Sequence, residues 1–164
     1  MYLHTVVLAG ILGLSAATAW AHGDARDAKP RAKKPATATE ETPFGRPGDP
    51  KKAMRTINVG MNDSMHFTPG DIRLKQGDTV RFVVANKGKL MHEMVIGSMK
   101  ELKEHAELMT KFPDMEHDEP YMAHVAPGKN GEIVWQFTQA GEFHYACLVP
   151  GHMQAGMIAK IAVK

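Results

Sequence analysis

Hydrophobic and polar positions alternate in short runs from Met54 to the C-terminus, and this alternation predicts a set of strands. Arg55 to Val59 alternates. Asp71 to Leu74 runs into the turn residues Gln76-Gly77-Asp78. Thr79 to Ala85 reads Thr-Val-Arg-Phe-Val-Val-Ala, a run rich in β-branched residues that favour a pleated surface. His92 to Ile96, Glu132 to Phe137, Gly141 to Cys147 and Met157 to Val163 complete the series. Many short strands separated by Gly and Pro turns predict an all-β sandwich or barrel. A length of about 110 residues suffices for one hydrophobic core.

One segment follows a helical period instead. Ser98-Met99-Lys100-Glu101 fits a capping box, with Ser98 as the cap and Glu101 three residues on. Leu102, His105, Leu108 and Met109 then share a face, and Pro113 ends the run. The spacing predicts one short helical insertion, over about residues 99 to 111, lying against the sandwich.

Before Met54 the pattern is different. Val6 to Leu14 is an apolar run of signal-peptide length, and Ala19-Trp20-Ala21 supplies the small residues of a cleavage site. Residues 1–21 are expected to be a removed leader. The run is short for a membrane span, so no stable span is expected after cleavage. Residues 22–53 are rich in Pro, Ala, Lys and Thr and hold almost no large apolar residue except Phe44. Such a segment buries too little to offset its ordering entropy, so a flexible tether is expected. The domain itself is expected over residues 54–164.

Composition narrows the function. The formal net charge is only +2, and no basic–aromatic pattern of a nucleic-acid binder is present. The chain has 12 Met and 9 His but a single Cys. One Cys excludes an internal disulfide and any CxxC motif. In the oxidising compartment that a leader implies, an unpaired thiol invites exchange unless something occupies it.

The chemistry concentrates in Cys147-Leu148-Val149-Pro150-Gly151-His152-Met153-Gln154-Ala155-Gly156-Met157. A thiolate, an imidazole and a thioether recur every five residues, on a loop whose Pro150, Gly151 and Gly156 permit a tight fold-back. With a second imidazole this set becomes the trigonal His₂Cys plane with a long axial Met of a blue-copper site. His92 is the preferred second imidazole because it opens a β run at a strand–loop junction. His66 is the runner-up and His124 the third choice. A buried structural thiol is the plainer alternative for Cys147. A Cys–His nucleophile lacks a third group or oxyanion site in the sequence.

Cys147-x₄-His152-x₄-Met157, with His92 upstream beside a β run, resembles the type 1 copper signature of the cupredoxins (plastocyanin, pseudoazurin and azurin) over roughly residues 54–164. Leu90-Met91-His92-Glu93-Met94-Val95-Ile96-Gly97 and Cys147-Leu148-Val149-Pro150-Gly151-His152 are similar to periplasmic copper-tolerance cupredoxins of the CopI type. The resemblance implies a Greek-key β-sandwich, a periplasmic location, and one copper cycling between Cu(I) and Cu(II) in electron transfer and tolerance. A dedicated one-copper shuttle to a respiratory or oxidase partner is the alternative. The family resemblance also implies a near-surface His152, around which Leu148, Val149, Pro150 and Met153 would offer an apolar patch to a redox partner. An oxidase or nitrite reductase would need a second centre announced by His-x-His pairs, and the chain has none. No enzyme activity is expected, and a monomer is. The chain departs from the family at two places. Glu93 stands where many cupredoxins carry an Asn that ties the ligand loops together, so that bond must be made differently. Met91 stands where azurins offer a Gly carbonyl.

The remaining Met and His residues leave two readings open. Met61, Met65 and His66 form one cluster, and Met115-Glu116-His117 with Met122-Ala123-His124 a second. Met94, Met99 and Met109 are expected to cover the helix. Met is commonly a core filler. Repeated Met-x-His in a loop also suits a second, weaker Cu(I) site. After cleavage, the α-amine and imidazole of His22 would suit Cu(II).

Overall fold

Strand residues that alternate in burial assemble into two five-stranded sheets. The computed structural model describes residues 41–113, 115 and 117–164. The expected leader, residues 22–40 of the expected tether, and the His22 chelate lie outside the described residues. The strands are β1 (Arg46–Pro47), β2 (Arg55–Asn62), β3 (His66–Thr68), β4 (Ile72–Leu74), β5 (Thr79–Asn86) and β6 (His92–Gly97), then β7 (Met122–Val125), β8 (Asn130–Gln136), β9 (Gly141–Ala146) and β10 (Ile158–Val163). One sheet runs β1-β8-β5-β2-β3 and the other β4-β10-β9-β6-β7. Pairing is antiparallel except for β2 with β5 and β4 with β10. The all-β expectation holds, and every strand expected from the sequence is present. The two strands it missed between residues 54 and 164, β3 and β7, have three and four residues.

The core lies between the sheets, around Phe82, Trp135, Phe137 and Tyr145. Strand β6 is buried along its whole length. Met94 and Ile96 join the main core, whereas Val95 joins a second cluster with Leu102, Ala106, Met109, Met122, Ala146 and Leu148. Alternating residues therefore bury on opposite faces, and the helix α1 (Met99–Lys111) covers the outer one. The capping box of α1 forms as expected. Ser98 Oγ accepts from the Glu101 N–H at 3.3 Å, and the Glu101 carboxylate accepts from the Ser98 N–H at 3.0 Å. The buried face is Leu102, Ala106 and Met109, while Leu108 is exposed. Met94 belongs to the main core instead of covering the helix.

The tether expectation needs correction at its C-terminal end, because residues 41–53 are folded onto the sandwich. Phe44 is buried and stacks on Trp135 with ring centroids 5.4 Å apart. Its carbonyl accepts the indole N–H of Trp135 at 3.1 Å. Arg46 and Pro47 pair with Gln136 and Trp135 at the sheet edge. Burying one aromatic side chain contributes about 1.5–3 kcal/mol, and satisfying a buried indole N–H adds to it. A single Phe in a Lys- and Pro-rich run is enough to anchor the strand.

Candidate metal centre

Two loops at one end of the sandwich deliver the donors. The first precedes His92. Buried Asn86 donates from Nδ2 to the carbonyls of Leu90 and Val125, each at 2.8 Å, and accepts from the Gly88 N–H. Asp63, in the β2–β3 turn, accepts from the N–H groups of Lys89 and Leu90. Gly88 allows this approach, since a Cβ there would stand 2.0 Å from Asp63 Oδ1. The second loop joins β9 to β10. Gly151 and Gly156 adopt positive φ of 87° and 100°, as the fold-back requires. The Cys147 N–H donates to the Met157 carbonyl and the Met157 N–H to the His152 carbonyl, each at 3.0 Å. Fixed bonds between ligand-loop ends make the donor geometry a property of the backbone.

The structure brings His92, Cys147 and His152 together. Cys147 Sγ lies 3.3 Å from His152 Nδ1 and 3.9 Å from His92 Nδ1. The three donor atoms lie within 4.8 Å of one another. Trigonal coordination with bonds of about 2 Å to nitrogen and 2.3 Å to sulfur places donors about 3.5–3.7 Å apart, so the trio fits a first-row metal ion. Cys147 and His92 are fully buried, and His152 is half-buried. Met157 is buried beside them in the chain, bonded through its backbone to both Cys147 and His152. A cysteine sulfur and two imidazoles form a soft set that suits copper, to which the thioether of Met157 on the same loop would add a fourth donor. Burial pushes the Cys147 thiol up to about 12, so the thiolate needs a cation beside it. Burial and the neighbouring His92 lower the pKa of His152, keeping its nitrogen free to ligate.

Glu93 makes the loop-tying bond in its own way. Its buried carboxylate accepts the Leu148 N–H at 2.9 Å, and its backbone N–H donates to Cys147 Sγ at 3.4 Å. The other carboxylate oxygen lies 2.8 Å from His124 Nδ1. Glu93 and His124 are directly paired across β6 and β7. The hydrogen bond to Glu93 raises the pKa of His124.

The other candidates fall elsewhere. His66 is exposed at the start of β3 and its Nδ1 faces the Ser64 carbonyl, so it is no part of the trio. Met61 is a core residue and Met65 packs on the core, which dissolves the first Met/His cluster. The second cluster is partly real. His117 Nε2 sits 2.6 Å from Nε2 of His105 on α1, and its ring lies 5.9 Å from His124. Met122 is buried under the helix, and Glu116 lies outside the described residues. Sequence reasoning placed His105 on the packed face of the helix and missed its pairing with His117. It missed Asp63 and Asn86 as well. The Asx residues flanking the β2–β3 turn and ending β5 were the available signal. Leu148 is buried beneath α1, so it cannot belong to a docking patch, whereas Pro150, Leu90 and Met91 are exposed.

Residues 54–164 match the model of the plastocyanin/azurin family of copper-binding proteins. The chain is 53% identical, over 76% of its length and 75% of the relative's, to a protein of Rubrivivax gelatinosus named copper-resistant cuproprotein CopI. It is 32% identical to the protein of that name from Pseudomonas aeruginosa PAO1, over 97% of this chain and 93% of the other. Among solved structures, auracyanin B superposes with a TM-score of 0.61 at 18% identity, covering 76% of this chain and 96% of its own. Auracyanin A of Chloroflexus aurantiacus, described as a "blue" copper protein, gives 0.57 at 20% identity, with coverages of 66% and 98%. These two likenesses establish the cupredoxin sandwich as the fold.

Proposed function

This chain belongs to the plastocyanin/azurin family of copper-binding proteins, and from that membership we propose a periplasmic type 1 copper protein that transfers electrons and serves copper tolerance. The main support is the buried convergence of Cys147 Sγ with Nδ1 of His92 and His152. In this proposal those three supply the trigonal donors, and Met157 supplies the weaker axial thioether. Copper held there would supply one-electron exchange between Cu(I) and Cu(II). The protein's part is to hold the donors still through the Asn86, Asp63 and Glu93 bonds, so that little rearrangement accompanies a change of charge. It acts as a carrier and not as an enzyme. Pro150 and half-buried Val149 and Met153, with Leu90 and Met91 on the loop into His92, form the apolar rim through which a redox partner docks. The leader-like residues 1–21, cleaved after Ala21, send the chain to the periplasm.

Tolerance is supported by the names of the relatives and by the pair of His105 and His117. The two imidazole nitrogens lie 2.6 Å apart, at hydrogen-bond distance, on a half-buried surface beside a Met-containing loop, and would part to about 4 Å around a second, weaker Cu(I) ion. A dedicated one-copper electron shuttle is the competing account. Copper titration of the mature chain separates them. The tolerance account expects two equivalents, an intense sulfur-to-copper colour from the first, and copper-sensitive cells when the gene is deleted. One equivalent, with normal growth in high copper, would support the shuttle. A colourless Cu(II) form would overturn both.

A further inference from the structure

A carboxylate from outside the ligand loops stands directly behind the first imidazole. His92 is fully buried, and its Nε2 lies 3.1 Å from Asp63 Oδ1. Both carboxylate oxygens already accept backbone N–H groups, Oδ1 from Lys89 and Leu90 and Oδ2 from Lys89. An ionised carboxylate only accepts, so the proton on His92 resides on Nε2. Nδ1 is left with a free lone pair, on the side that faces Cys147 Sγ. The same Asp63 accepts from Lys89 and Leu90, so one side chain fixes both the loop and the ring it carries. No side chain could be fitted at Gly88 without displacing it.

Resting on the type 1 reading above, we propose that Asp63 is a positioning residue of the copper centre: it presents Nδ1 of His92 to the metal and, as a fixed negative charge behind that ligand, biases the centre toward Cu(II). A carboxylate hydrogen-bonded to a ligand imidazole makes the imidazole more basic and holds its orientation. A more basic ligand and a nearby negative charge both favour the more positive oxidation state. Asp63 is a third exposed, so solvent weakens this bias without removing it.

Two substitutions separate orientation from charge. Asp63→Asn keeps an acceptor oxygen and removes the charge. Asp63→Ala removes both. Glu104→Gln on α1 removes an exposed charge elsewhere and serves as control. In the metal-free protein, nitrogen-detected NMR of the imidazole should show His92 as the Nε2-protonated tautomer in the parent and in Asp63→Asn, and a mixture in Asp63→Ala. In the copper-loaded protein, Asp63→Asn should shift the Cu(I)/Cu(II) preference about tenfold toward Cu(I), a rise of 59 mV in reduction potential. Asp63→Ala should also lower Cu(II) affinity by about 10–100-fold. A potential in Asp63→Asn equal to that of Glu104→Gln, or an unchanged tautomer in Asp63→Ala, overturns the proposal. A parent protein that takes up no copper at Cys147 overturns the type 1 reading instead, and the NMR result still decides whether Asp63 orients His92.

Discussion

Two groups of imidazoles lie on opposite faces of the same strand. His92 and Glu93 are consecutive in β6, so their side chains project to opposite sides. His92 meets Cys147 and His152 at the core side, where two of the three donors are fully buried and the loop from Cys147 to Met157 is bonded through its own backbone. Glu93 meets His124 on the helix side, next to His117 and His105, where the rings are half-buried or exposed and come from a helix, a loop and a strand. The first group has a thiol and a fixed geometry. The second has neither. Rigidity and a soft sulfur suit a resident copper that changes charge in place. A looser pair of imidazoles suits an ion that comes and goes. Glu93 touches both groups, through Leu148 on one oxygen and His124 on the other.

The contrast can be broken in order of expected effect. Cys147→Ser should abolish the sulfur-to-copper band altogether while leaving Cu(I) uptake at His105 and His117, as read by absorbance and by competition with a chromophoric chelator. Colour surviving that change would end the distinction. The double change His105→Ala with His117→Ala should remove one equivalent of Cu(I) or Ag(I) and leave the band intact. Loss of the band there would show that the two groups form one site. Glu93→Ala should disturb both. The Leu148 N–H would lose its buried acceptor, costing about 1–3 kcal/mol in urea denaturation of the metal-free chain, and the band of the copper form should move.

The smallest effect concerns a histidine in neither group. Burial lowers the pKa of His144, and its Nδ1 is buried without a hydrogen-bond partner. A folded-state pKa below the unfolded value means that the unfolded chain takes up a proton first as pH falls. Stability is therefore complete above about 6.5, the unfolded value, and declines as pH drops toward the depressed folded value. His144→Gln should flatten that decline between pH 7.5 and 5.5. An unchanged slope would place the acid sensitivity of the sandwich elsewhere.

What the sequence revealed follows from how local each feature is. Cys147, His152 and Met157 share one loop, so their even spacing carries the chemistry without a fold. The capping box at Ser98 and Glu101 is equally local, and the start of α1 was readable from it. His92 was readable because it opens a β run, although only the sheet register sets it beside Cys147. Phe44 was not, since its partner Trp135 lies 91 residues away. The pairing of His105 with His117 depends on where the chain sets His117 beside α1, which periodicity does not encode. Asp63 is polar and sits in a turn, where sequence logic expects an Asp anyway. Its approach to His92 is a tertiary fact.

Because β6 is buried on both faces, its register admits no slack. Inserting or deleting one residue there would turn the imidazole toward α1 and send the carboxylate into the apolar interior. Natural variation in how this molecule handles copper is therefore expected to enter through the loops and the helical insertion, with the length of β6 held constant among functional copies.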